Sequence, residues 1–262
     1  MNILLNGISG FMGREVEKLC IKGYRSARLL LGVDPMGGKD SSVPVYKTLD
    51  EVGADAEIDC IIDFSHHSCI EGILSFAKER AIPTVVATTG HTEKEVALIH
   101  EAAKYIPVFF SANMSVGVAL LVELAKKVAA AMPEAEIEII EKHHDRKLDA
   151  PSGTALMIAD GIMAVRPDAY TNLGRSGHGK RTKEEIGIHA IRMGNIVGEH
   201  EVIVGTDNQT ITIKHEAHSR ALFAEGALAA ADFLVKCDVG LYDMKSIISR
   251  DEHSAALSAA NA

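Results

Sequence analysis

The sequence predicts an α/β protein: a doubly wound parallel sheet, followed by a second, α+β domain with a mixed sheet. Two observations carry this. Up to about residue 110, continuous apolar runs alternate with amphipathic stretches, as in buried parallel strands covered by helices on both faces. After about residue 115 the texture changes to apolar–polar alternation at period two, the mark of half-buried strands.

The elements follow in order. Residues 3–6 are a short apolar strand running into glycines, and residues 13–23 read as the first helix. Strands are expected at 29–34, 59–64, 83–88 and 107–110, with helices at 68–80 and 92–104 between them. A long helix over 116–132 leads into strands at 136–140, 186–193, 197–204 and 210–215. Between them, residues 173–181 are rich in glycine and positive charge and read as a mobile loop. Helical pattern returns at 224–234 and could rejoin the first domain; the alanine-rich end, 254–262, reads as frayed. The expected division is therefore 1–114 plus 224–262 for one domain and 115–223 for the other.

Composition narrows the function. The 262 residues suffice for one large domain or two modest ones, and 47% hydrophobic with 24% charged is ordinary for a soluble globular chain. A net charge of −9 argues against nucleic-acid binding, and it requires local cations to hold any anionic ligand. Four cysteines without a CxxC pair fit a reduced cytoplasmic setting. No signal peptide and no apolar run of about 18 residues is seen, so no membrane span is expected.

Gly7-Ile8-Ser9-Gly10-Phe11-Met12-Gly13 follows the first strand and opens the first helix. Glycines there permit a tight turn and close approach of a pyrophosphate to the helix amides. The spacing is GxxGxxG rather than GxGxxG, and alone it fits a structural turn as well. Asp34 ends the second strand about 20 residues on, where a carboxylate would bond ribose hydroxyls. The pair indicates a Rossmann-like dinucleotide site. Pro35 stands where a cation would hold a 2′-phosphate, so NADH is favoured; NADPH remains possible if Lys39 reaches in. Ala87-Thr88-Thr89 and Ser111-Ala112-Asn113-Met114 lie at strand ends that could line the nicotinamide half, or cap the next helices.

The densest chemistry lies at 141–155. His143, His144 and Lys147 precede Pro151-Ser152-Gly153-Thr154, a helix start at which the amides of Gly153 and Thr154 could hold an anion. Neighbouring histidines on a strand face opposite ways, which argues against a metal held by the pair, and no metal is expected. His143 suits acid/base work because imidazole titrates near neutrality. His66, His67, His215 and His218 carry little functional weight; a solvated basic loop remains the plain alternative for the 141–155 segment itself.

The block His143-His144-x-x-Lys147-x-Asp149-Ala150-Pro151-Ser152-Gly153-Thr154-Ala155 resembles the signature of the dihydrodipicolinate reductase family. The resemblance spans nearly the whole chain, with 88–90, 112–117, 194–200, Ser219-Arg220 with Phe223, and 240–244. It implies NAD(P)H-dependent reduction of a small dicarboxylate ring in the diaminopimelate route to lysine. It also implies a dinucleotide-binding domain completed by the C-terminal helix, a mixed-sheet domain for substrate and assembly, and a homotetramer. On this resemblance His143 is the acid/base and Lys147 the proton donor, while His144, Gly153 and Thr154 touch substrate. Gly7 to Met12, Asp34, 87–89 and 111–114 touch the cofactor, and closure between the domains precedes hydride transfer. Ala87 stands where glycine is common, and basic residues frequent in the glycine loop and after the acid are missing, which counts against tight NADP binding. Two other readings stay open: another two-domain NAD-dependent amino-acid dehydrogenase, and a non-catalytic NAD-sensing regulator.

Overall fold

The computed structural model describes residues 1–38 and 40–249; Lys39 and the expected frayed segment 254–262 lie outside the described residues. In chain order the elements are β1 (Asn2–Asn6), α1 (Phe11–Ile21), β2 (Arg28–Val33), β3 (Val45–Tyr46), β4 (Cys60–Asp63), α2 (Ile70–Glu79), β5 (Thr84–Val86), α3 (Glu93–Ala102) and β6 (Pro107–Phe110). Then come α4 (Val116–Ala131), β7 (Glu136–His143), α5 (Gly153–Met163), β8 (Tyr170–Leu173), β9 (Glu185–Arg192), β10 (Gly198–Thr206), β11 (Gln209–Ala217), α6 (Ala221–Leu234) and β12 (Gly240–Tyr242). The described residues divide into two compact units: Met1–Val116 with 221–249, and Gly117–Arg220.

The first unit is built on a seven-stranded sheet in the order β12-β6-β5-β4-β1-β2-β3, with every pair parallel. The chain moves outward from β1 to β3, then restarts at β4 on the other side. That reversal between β1 and β4 places a crevice at the carboxyl ends of the strands, where open α/β sheets bind ligands. Leu4, Ile61, Val86 and Val108 are fully buried and join Ile70, Ile73, Ile99 and Ile106 in one core. Each such side chain contributes about 1.5–3 kcal/mol on burial. The apolar, unalternating strands follow from this two-sided cover.

The first helix lies two residues earlier than the expected 13–23. Gly10 is its extended N-cap, and Gly23, in the left-handed region at φ 71°, lies just past its end. Helix α3 starts on a full capping box: the Thr92 side chain accepts from the Glu95 amide while the Glu95 side chain accepts from the Thr92 amide.

The second unit carries a mixed five-stranded sheet in the order β11-β10-β7-β9-β8. Pairs β10–β11 and β10–β7 are antiparallel, whereas β7–β9 and β8–β9 are parallel. Helices α4 and α5 cover one face through Leu121, Ala125, Ala155, Ile158 and Ile162 against Ile137, Ile139, Ile188 and Val202. Strand β7 alternates cleanly, and its buried side continues past residue 140 through Glu141 to His143. Leu173, expected at the start of a loop, ends strand β8. In the basic loop that follows, Arg175 pairs with Glu185 and Arg181 with Glu138 and Glu136.

Candidate active site

In the first unit the expected cofactor residues converge on the sheet's carboxyl edge. Gly7 sits at φ +81°, and a Cβ there would meet the Phe64 carbonyl oxygen at 2.4 Å. A Cβ on Gly13 would meet the Gly7 oxygen at 2.3 Å, so helix α1 approaches the turn only because that residue is glycine. Gly10 supplies no capping side chain to the helix start. This cradle fits a pyrophosphate. Ile8 turns its side chain inward against Gly32, so only its backbone can face a ligand. Phe11 is exposed.

Asp34 is buried, and its two carboxylate oxygens accept from the amides of Ser9 at 3.1 Å and Met36 at 2.9 Å. The Ser9 hydroxyl donates to the Gly37 carbonyl at 2.5 Å. These bonds fix the acid beside a cavity of about 600 Å³ whose wall includes Ser9, Arg14, Lys18, Met36 and Gly37. The Arg14 guanidinium donates to the Ser9 carbonyl at 3.0 Å. Sequence reading looked to Lys39 for a cation here; Arg14, one turn along α1, stands on the described wall.

A second cavity of about 380 Å³ is lined by Met12, Ala87, Thr88, Thr89, Ala112, Asn113 and Met114. Phe64, Ser65, His66, His67 and Phe223 complete it. His66 and His67, which the sequence reading set aside, therefore face the same space as the strand-end residues. His67 Nδ1 lies 2.9 Å from the Glu95 carboxylate, the acid of the α3 capping box. Ser111 is used locally: its hydroxyl donates to the Asn113 carbonyl at 2.8 Å.

Sequence reasoning missed Asp63. It is fully buried at the end of β4 and accepts from Asn6 Nδ2 at 2.8 Å, Ser65 Oγ at 2.6 Å and Thr88 Oγ1 at 2.6 Å. A buried charge persists only when its acceptor sites are filled, as here. Asp63 thereby ties the ends of β1, β4 and β5 together. The Thr88 hydroxyl is committed to it, leaving Thr89 as the exposed hydroxyl of the pair. The available signal was an acid closing the apolar run 60–63.

In the second unit β7 and its following turn hold the other candidates. His143 ends the strand, nearly buried, with Nδ1 2.6 Å from Glu141 Oε2. Its Nε2 has no hydrogen-bond partner among the described residues, and a Cβ on Gly198 would lie 3.1 Å from it. His144 falls in the turn after the strand. Its Nδ1 is buried without a hydrogen-bond partner among the described residues. Burial, with the cations Arg146, Arg220 and Lys147 nearby, pushes the His144 imidazole down toward neutrality. Lys147 Nζ pairs with Asp149 Oδ1 at 2.8 Å, a bond that holds the Asp149 carboxyl below its usual range.

Ser152 caps α5, accepting from the Ala155 amide at 3.2 Å. Gly153 and Thr154 occupy the first two helical positions, at the positive end of the helix. A Cβ on Gly153 would meet nothing within 4 Å. Behind it, His200 is buried, its Nε2 3.0 Å from Ser152 Oγ and its ring edge-on to His143 at 5.2 Å. Among the described residues, no group of three or more His, Cys, Asp or Glu side chains is placed to hold a metal ion. No described helix is long and apolar enough to cross a membrane.

Glu141 is fully buried. Burial alone would raise its carboxyl, but hydrogen bonds from His143, Arg192 and the Ser152 amide hold it at about 2. Burial likewise pushes His200 down to about 4. Both shifts act in one direction on stability. Glu141 binds protons in the unfolded chain from near its ordinary 4.5, and His200 from near 6.5, before either does so when folded. Their contribution is complete above about pH 6.5 and is lost progressively as pH falls toward 2. Denaturant titrations across that window should show unfolding free energy falling with pH, and His200→Gln should flatten the part between about 6.5 and 4. An unchanged slope in the variant would contradict the burial of a neutral His200.

A glycine-cradled parallel sheet, with an acid at the end of its second strand, and a separate mixed-sheet unit bearing a His–Glu–Arg cluster define a two-unit Rossmann-like oxidoreductase. The description "Dihydrodipicolinate reductase, N-terminus" matches residues 1–114, and "Dihydrodipicolinate reductase, C-terminus" matches residues 117–248. The 4-hydroxy-tetrahydrodipicolinate reductase of Caldanaerobacter subterraneus is 44% identical over 252 residues, covering 95% of this chain and 99% of that one. Its counterpart from Clostridium tetani is 41% identical over 251 residues, covering 95% and 97%. A solved dipicolinate-bound dihydrodipicolinate reductase from Paenisporosarcina sp. TG-14 shares the fold, with a TM-score of 0.78 at 24% identity, covering 93% of this chain and 97% of that one. The chain belongs to the dihydrodipicolinate reductase family.

Proposed function

We propose that this protein reduces 4-hydroxy-tetrahydrodipicolinate to tetrahydrodipicolinate with a nicotinamide cofactor, in diaminopimelate and lysine biosynthesis. The observation that carries the reading is the juxtaposition, in one unit, of an acid/base imidazole, a lysine and a helix N-terminus: His143, Lys147, and Gly153 with Thr154. It has the composition that a dicarboxylate ring needs: a cation and amides for a carboxylate, and a proton-transfer group beside the ring. His144 Nδ1, buried and lacking a hydrogen-bond partner among the described residues, suits a further substrate contact.

The first unit binds the dinucleotide and the second the substrate. The turn from Gly7 to Met12 would hold the pyrophosphate and Asp34 the adenosine ribose, while Ala87 to Thr89 with Ser111 to Met114 would line the nicotinamide. When bound, the reduced nicotinamide supplies the hydride. Lys147 and the α5 amides orient the ring by a carboxylate. The 4-hydroxyl takes a proton from the neighbouring ring carbon and leaves as water, and His143, through Nε2, returns a proton to that carbon to balance the hydride. His143 recovers its proton from solvent. A homotetramer belongs to the same reading; the edge strand β11, exposed along its first four residues, offers a surface for a second copy.

NADH is the favoured cofactor, because Asp34 is held by amides at the ribose position and Pro35 follows it. Arg14 gives NADPH a foothold. Paired initial-rate titrations should return a higher kcat/KM for NADH than for NADPH. A clear NADPH preference would assign Arg14 to the 2′-phosphate and overturn the NADH reading.

A further inference from the structure

The most completely bonded group of the second unit is one the reaction as described above does not use. Glu141 follows Ile137 and Ile139 on the inward face of β7, where an apolar residue is the rule. Both of its oxygens are filled twice. Oε2 accepts from His143 Nδ1 at 2.6 Å and Arg192 Nη1 at 2.8 Å; Oε1 accepts from Arg192 Nη2 at 2.7 Å and the Ser152 amide at 3.0 Å. Arg192 reaches across from β9, where it is His143's register partner, and also donates to the Asp149 carbonyl at 2.6 Å.

The chemistry of the partners leaves one arrangement. A guanidinium and an amide can only donate, so the carboxylate must be ionised and must accept at every site. His143 Nδ1 is then required to be a donor. In the neutral ring the proton sits on Nδ1 and the lone pair on Nε2, the atom with no hydrogen-bond partner among the described residues. The same carboxylate holds the Ser152 amide, one residue before the amides of Gly153 and Thr154.

We propose that Glu141, clamped by Arg192, is the positioning residue of this site: it fixes the His143 tautomer, presents Nε2 for proton transfer, and sets the anion turn in register with it. This rests on the reductase reading above. The titratable and charged groups around His143 are Glu141 on its own strand, Arg192 on β9 through Glu141, His200 on β10, and the neighbouring His144, on which Arg146, Arg220 and Lys147 also act. Burial holds His200 toward its neutral form, so the fixed charges beside His143 are the buried Glu141 and the part-buried Arg192.

The test is a ¹⁵N imidazole NMR titration of the full-length, substrate-free protein, alongside steady-state rates. Wild type should show neutral His143 protonated on Nδ1. Glu141→Gln removes the anion and turns an amide NH₂ toward groups that only donate. It should lower the His143 midpoint by about one pH unit or more and cut kcat by roughly 10–100-fold, with the KM for NADH unchanged. Arg192→Gln removes the competing cation and should shift the midpoint upward. Opposite signs are the mark of a charge-mediated role, which loss of packing would not produce. Shifts of one sign in both variants, or none in either, would overturn the proposal. If Glu141→Gln does not fold, a fall or no shift in Arg192→Gln overturns it, and an Nε2-protonated wild-type ring does so without any variant. Wild-type turnover is read separately. Its absence beside the expected titrations contradicts the reductase reading, whereas turnover with an Nε2-protonated ring contradicts only the positioning role.

Discussion

Replacing His143 by Gln should lower kcat by roughly 10²-fold or more, the scale of a lost general acid or base. The substitution is gentle on structure. A glutamine amide can still donate to Glu141, so the buried carboxylate keeps a partner where the imidazole Nδ1 stood, 2.6 Å away. What it cannot do is exchange a proton at Nε2. Cofactor affinity should be retained, because the glycine turn, Asp34 and the strand-end residues all belong to the first unit, while His143 belongs to the second. Steady-state rates and NADH fluorescence titration separate the two effects. An unchanged kcat would remove His143 from proton transfer; a parallel loss of NADH binding would point to a wider disturbance.

The largest stability effect is expected at Gly7. An alanine there would hold a side chain at φ +81° and press its Cβ to 2.4 Å from the Phe64 carbonyl oxygen and 2.9 Å from Ser65 Cα. Both obstacles are backbone, so no rotamer change relieves them. The left-handed conformation costs about 1–2 kcal/mol and the overpacking about 1–3 kcal/mol, for a total near 3 kcal/mol. For a chain of this size that is a fall in Tm of roughly 6–12 °C. Relief would have to come from the segment leaving β4, and Phe64 and Ser65 line the strand-end cavity, so NADH binding should weaken by about tenfold or more. Thermal melts with and without NADH measure both. A Gly7→Ala protein with unaltered Tm would contradict the geometry of the turn.

Much of this was legible in the sequence because it was local. The glycine turn, the apolar parallel strands and the helix start at Gly153 each announce themselves within about ten residues. Strands β3, β8 and β12, of two to four residues, did not, since each exists by pairing at or near a sheet edge with a partner that periodicity cannot name. Apolar alternation predicts an end to strand β7 at residue 140, because its next inward positions are Glu141 and His143 rather than apolar residues. That break in hydrophobicity marked the site: the alternation continued while its chemistry changed. Asp63 and Arg192 were illegible for a related reason. Asp63 draws donors from Asn6 and Thr88, and Arg192 is 51 residues from Glu141, so the residues that satisfy each charge are brought together only by the sheets. His66 and His67 gained their place beside the strand-end cavity in the same way.

Reduction of the ring is read from NADH oxidation by the purified protein with freshly prepared aspartate-semialdehyde/pyruvate condensation product. The account predicts sustained turnover that requires the ring substrate, a higher kcat/KM with NADH than with NADPH, and loss of roughly 10²-fold in His143→Gln. No turnover with either cofactor would contradict it. Tight NADH binding without chemistry on this or any other substrate would instead favour a non-catalytic nucleotide sensor on the same fold.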